Sequence, residues 1–165
     1  APKKKRRAKL TEREFLELFH AHERNDNGSV TCLKRIYELV SNDPRLKIRY
    51  NRGSIAIVYP APERKDGEAP LLTIGPSGVT KFHTASCRRH ITRRFGPETA
   101  ARTHTRYEAA LLDLLGPEVI QNEMNVGGGD PHLSAVHARI DALLDALTTV
   151  ARGLDAAARA PVEQA

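Results

Sequence analysis

Apolar residues recur every three or four positions from about residue 12 to 40, alternate with polar ones in the stretches that follow to about residue 83, and then return to the helical period as far as residue 159. The first stretch predicts a helix over about 12–23. Phe15, Leu16, Leu18 and Phe19 form its apolar stripe, and Thr11 followed by Glu14 has capping-box spacing. Asn25-Asp26-Asn27-Gly28 ends this helix. Ser29 is placed to cap a second one, in which Val30, Leu33, Ile36, Tyr37 and Val40 keep helical spacing until Asn42-Asp43-Pro44.

The period then drops to two. Leu46, Ile48 and Tyr50 alternate with Lys47 and Arg49, Asn51-Arg52-Gly53 reads as a tight turn, and Ser54–Tyr59 returns as a β-branched strand. Pro60 to Pro70 is rich in Pro, Gly and charge. Beyond it, Leu71–Ile74, the turn Pro76-Ser77-Gly78 and Val79–His83 make a second hairpin. Four strands in one antiparallel sheet are expected.

Thr84 is placed to cap a basic helix that runs through Phe95 and stops at Gly96-Pro97. A connecting helix follows to about Leu115, before Gly116-Pro117. Gly127-Gly128-Gly129 is followed by Asp130-Pro131 rather than Lys-Ser/Thr, so it is a connection and not a phosphate loop. From about His132 to Arg159, Val136, Ile140, Leu143, Leu147, Val150 and Leu154 alternate spacings of four and three, a short heptad seam. The expected fold class is α+β: an N-terminal helix pair, a small antiparallel sheet of two β-hairpins, then basic, connecting and long C-terminal helices. The expected organisation is an arm at 1–9, one α+β domain at 10–160 and a tail at 161–165.

The stretches LTEREFLELF, LKIRYNRGSIAIVYP, LLTIGPSGVTKFH and LSAVHARIDALLDALTTV occur in that order across residues 10–155. In them the chain resembles an uncharacterised bacterial α+β domain found alone or beside nuclease-like modules. Such sequences carry a Trp-Gly pair near the first hairpin turn, where this chain has Tyr50-Asn51. The resemblance implies the same helix-pair, sheet and long-helix architecture, and it implies no activity.

Charge sharpens the picture. The 165 residues carry 26 Lys+Arg against 20 Asp+Glu, a formal net charge of +6. Lys3, Lys4, Lys5, Arg6, Arg7 and Lys9 lie in the first ten residues with no acid, so the remaining residues balance. That tail reads as a mobile basic arm, in a string resembling a nuclear-localisation signal or a nucleic-acid-binding arm. Within the neutral remainder, residues 81–106 hold Lys81, Arg88, Arg89, Arg93, Arg94, Arg102 and Arg106 against Glu98 alone. Cys87, Ile91 and Phe95 fall four apart and mark the buried stripe of the basic helix, which turns Arg88, Arg89, Arg93 and Arg94 outward. A surface selected only for solubility mixes its signs, whereas a one-signed face is the footprint of a polyanion partner.

The leading expectation is therefore a non-catalytic nucleic-acid-binding protein. Its Lys3–Arg7 and Lys9 arm and its 81–106 patch contact phosphates, chiefly of duplex DNA, without reading bases. An alternative is a scaffold or interaction subunit that docks or self-associates through residues 132–159. A metal-dependent nuclease is a third reading, in which Glu63 would hold a divalent ion and Lys65 would support the attacking water. Helix-turn-helix readout by Lys34 and Arg35 is poorly supplied with cations, and stacking on Tyr50, Tyr59 or Phe82 requires rings outside the core. His20 and His22 are two apart and cannot chelate together, and Asp130, His132 and His137 lack a fixed metal spacing. Cys32 and Cys87 are too few for a disulfide scaffold and lie on apolar helix faces as inert thiols. No cofactor is expected. No apolar run reaches a bilayer span and no signal-peptide core follows the basic start. The expected location is cytoplasmic, on the nucleoid in a bacterium or in the nucleus of a eukaryotic or viral host.

Overall fold

The structure is a computed structural model that describes residues 8–60, 68–115 and 131–159. Helix α1 spans Glu12–Ala21 and is closed by the predicted capping box. Thr11 Oγ1 accepts from the Glu14 backbone N–H at 3.1 Å, and Glu14 Oε1 accepts from the Thr11 N–H at 3.1 Å. Helix α2, Asn27–Asn42, starts two residues before its expected cap. Asp26 holds the N-cap, its carboxylate accepting from both the backbone N–H and the hydroxyl of Ser29. A carboxylate serves two donors and the helix dipole at once, which a serine hydroxyl cannot do.

Strands β1 (Lys47–Tyr50), β2 (Ile55–Tyr59), β3 (Ala69–Ile74) and β4 (Thr80–Phe82) form one antiparallel sheet in the order β1-β2-β3-β4. The register follows the alternation read from sequence, with Ile48 opposite Ile57 and Tyr50 opposite Ile55. A bulge between Ile57 and Val58 adds Leu71 to β3, and its carbonyl accepts from the Tyr107 hydroxyl and the His83 N–H. The inner face carries Ile55, Ile57, Leu72, Ile74 and Phe82 into the common core. The other face carries a lateral row, Arg49, Ala56, Thr73 and Lys81, paired strand to strand.

Helices α3 (Ala85–Phe95) and α4 (Pro97–Leu115) follow. Thr84 occupies the N-cap position of α3, but its side chain makes no capping bond. The predicted continuous C-terminal helix is instead broken. Helix α5, Leu133–Val136, gives way to a 3-10 turn at His137–Arg139 and then to α6, Ile140–Arg159. The tighter turn lays the His137 ring against Gly28 of α2, where a Cβ would sit 3.2 Å from His137 Cγ. It also sends Arg139 to the backbone oxygen and carboxylate of Asp113, at 2.6 and 2.9 Å. All six seam residues, Val136 to Leu154, are buried in the same core as Phe15, Phe19, Ile36 and the inner sheet face. The expected docking seam is filled by the chain itself.

Asn25, the 75–78 turn and His132 tie the two ends of the described chain together. Asn25 Nδ2 donates to the Phe19 and Pro76 carbonyls, and His132 Nε2 lies 2.7 Å from the Ser77 carbonyl. Because His132 Nδ1 accepts from the Ser134 N–H, Nε2 carries the proton and is the donor to Ser77. Gly78, at φ +83°, sits where a Cβ would collide with both Asn25 Oδ1 and His132 Nε2. No helix among the described residues is long and apolar enough to cross a membrane.

Candidate nucleic-acid interface

Helix α3 contains no acidic residue and four arginines. Its inner stripe is set by Cys87 and Ile91, both fully buried, which turns Arg88, Arg89 and Arg93 to solvent. None of the three has an ion-pair partner among the described residues. Arg89 and Arg93 are one turn apart on one line, and Arg88 stands beside them. Arg93 and Arg94 also occupy the last turn, where the negative end of the helix dipole favours them.

Arg94 departs from the sequence reading. Its guanidinium lies 5.2 Å from the Tyr59 ring centre and 4.8 Å from that of Phe95, and it donates to the Pro60 carbonyl at 3.2 Å. A half-buried apolar edge between α3 and β2 attracts a cation that can stack, so Arg94 serves the fold. Thr92 is spent locally, its hydroxyl donating to the Arg88 carbonyl.

The cations of the 81–106 cluster stand on three elements, β4, α3 and α4. Lys81 sits on the outer sheet face beside Thr73, whose hydroxyl is 2.7 Å from His83 Nε2. Arg102 and Arg106 line a groove of about 570 Å³ between α4 and α6, to which α3 contributes nothing. Lys9 is exposed at the start of the described chain, whereas Lys3, Lys4, Lys5, Arg6 and Arg7 lie outside the described residues. Glu63, Lys65, Asp130 and the Gly127–Gly129 run lie outside them too.

The remaining chemistry is structural. The stacking candidates Tyr59 and Phe82 are core residues, and Tyr50 Oη lies 3.2 Å from Tyr37 Oη. Burial pushes both phenols above their ordinary range. Cys32 and Cys87 are buried and form no disulfide with each other, and burial raises the Cys32 thiol to about 11, so it stays protonated at neutral pH. His22 caps α1 and His132 caps α5. No group of three His, Cys, Asp or Glu among the described residues could hold a metal ion. Of the two α2 cations, Lys34 is exposed and Arg35 is paired with Asp141 at 2.6 Å.

Sequence reasoning missed the buried His104. Its Nδ1 is 3.4 Å from Glu108 Oε2, and its Nε2 has no partner among the described residues. The i, i+4 spacing of His104 and Glu108 was the available signal. Compared with protein-family models, with curated proteins and with solved structures, the chain matches none.

Proposed function

We propose that this chain is a non-catalytic nucleic-acid-binding protein that engages the phosphate backbone, of duplex DNA first, through α3 and the basic arm. One observation carries the reading: Arg88, Arg89 and Arg93 stand exposed on one helix with no carboxylate partner among the described residues. Guanidinium forks left in solvent can take phosphate oxygens in pairs without repositioning the backbone. Lys9 and the preceding Lys3–Arg7 string add charge that needs no fixed geometry, while Lys81 on β4 and Arg102 and Arg106 on α4 add to the field. Such contacts position a protein on the duplex and read no bases.

The test is the affinity for a generic duplex as a function of salt, for the whole chain and for a chain starting at residue 10. With about six phosphates neutralised, log K falls against log[salt] with a slope of about −5, and truncation lowers the slope without abolishing it. Absence of binding by the whole chain at low salt would overturn the reading.

A further inference from the structure

The groove between α4 and α6 is built like one half of a four-helix bundle. On α4 its lining residues Thr99, Thr103, Arg106, Ala110 and Asp113 recur at spacings of four and three. On α6 the same alternation runs through Ala142, Ala146, Thr149, Gly153 and Ala156. This line flanks the buried Leu143–Leu147–Val150–Leu154 seam, of which Val150 alone also reaches the groove, so α6 carries one heptad line inward and another toward the groove. Thr103 against Gly153 and Arg139 on Asp113 make the two helices antiparallel. Each wall spans fifteen residues, about 21 Å of helix from first to last. Ala146, Val150 and Tyr107 close the floor, and small residues there let another helix approach closely.

Charge selects the occupant. Arg102 and Arg106 are exposed on the α4 wall and Asp145 on the α6 wall, and none of the three has an ion-pair partner among the described residues. An acidic partner would satisfy the arginines and meet Asp145, and a basic one would do the reverse. A surface bearing both signs on opposite walls is complementary to itself under a two-fold rotation, which sets each α4 wall on the other copy's α6 wall. We infer that the α4/α6 groove is a self-association surface on which a second copy of this chain docks. The two helix pairs form an antiparallel four-helix bundle, with Arg106 of each copy facing Asp145 of its partner and Arg102 one turn further along the same wall.

The experiment is the concentration-dependent mass of the full chain in solution, free of nucleic acid. The wild type doubles its mass on concentration, while Thr149→Trp, which fills the groove from an exposed position, stays at the single-chain mass with an unchanged unfolding transition. The charge variants discriminate further. Asp145→Arg alone and Arg102→Asp/Arg106→Asp alone each stay single, because like charges then meet across the two-fold. An equimolar mixture of the two variants doubles, since every cross-copy contact is again attractive. A wild type that stays single at every concentration overturns the inference, as does a mixture that stays single beside a wild type that doubles. Doubling by Thr149→Trp would place the contact elsewhere and overturn it as well. None of these outcomes depends on duplex binding, so the nucleic-acid reading stands or falls separately.

Discussion

Arg35, Arg49 and Arg139 each reach a carboxylate on another segment and Arg45 reaches one in its own turn, whereas Arg88, Arg89 and Arg93 reach none among the described residues. The first group works as fasteners. Arg35 joins α2 to Asp141 of α6, Arg49 joins β1 to Glu68 ahead of β3, and Arg45 holds Asp43 with two charge-assisted bonds of 2.9 Å. The second group is concentrated on one helix and spends nothing on the fold. Arg94 is the boundary case, on the basic helix yet folded back over Tyr59 and Phe95. What separates the two kinds is a partner in the folded chain, local for Arg45 and tertiary for Arg35, Arg49 and Arg139.

Substitutions in the two regions are therefore expected to give opposite signatures. The largest effect is expected from Arg88→Ala/Arg89→Ala/Arg93→Ala, which lowers duplex affinity by about a hundredfold near 0.1 M salt and removes about 2.7 from the salt slope. Its unfolding free energy stays within about 0.5 kcal/mol per site. Titrations against duplex together with denaturant melts check both, and a large stability loss would erase the contrast. Asp43→Ala shows the reverse, a loss of about 1–3 kcal/mol in stability with the salt slope unchanged, because Arg45 loses its partner and the backbone N–H of Arg45 loses its acceptor.

The same site carries a pH signature. The Arg45 guanidinium and the Arg45 N–H hold the Asp43 carboxyl below its ordinary range. Folding therefore gains from the ionised form above the unfolded value near 4, and that gain is lost as pH falls through the lowered native value. Asp43→Asn is expected to flatten the acid limb of stability between pH 6 and 2, measured by urea unfolding; an unchanged limb would assign it to other carboxyls. Arg94→Ala is a smaller case, costing about 0.5–1 kcal/mol of stacking with little change in the salt slope. The smallest effect belongs to Arg13→Ala. Its pair with Glu17 is solvent-exposed on both sides and contributes about 0.3–0.5 kcal/mol, at the limit of thermal melts.

Much of this fold was legible because its signals are local. Thr11 with Glu14, the alternation through Ile48 and Tyr50 and the Asn51-Arg52-Gly53 turn depend on neighbours a few residues away, and the structure keeps them all. What failed was either a close local contest or a matter of distant partners. Asp26 displaced Ser29 as cap in a competition between two polar groups three residues apart, whereas the break at His137 lays its ring against Gly28, far back in the chain. The candidate site shows the same rule. Exposure of Arg88, Arg89 and Arg93 followed from the Cys87–Ile91 stripe, while the stacking of Arg94 and the place of Arg102 and Arg106 in the wall of a groove required knowing which strand and helix lay alongside.

The Asn25–Gly78–His132 junction carries a temporal meaning as well. Leu133 N–H donates to the Gly78 carbonyl and Thr80 N–H to the Pro131 carbonyl, so β4 is completed at its edge by residues about fifty positions downstream. On a ribosome the N-terminal helices and all four strands emerge before that clasp exists. Until Leu133 clears the exit tunnel, the last strand presents unpaired peptide groups to whatever is nearby. Nascent chains halted before residue 131 should accordingly be open to proteases and prone to pair with one another, and those released a few tens of residues later should be neither.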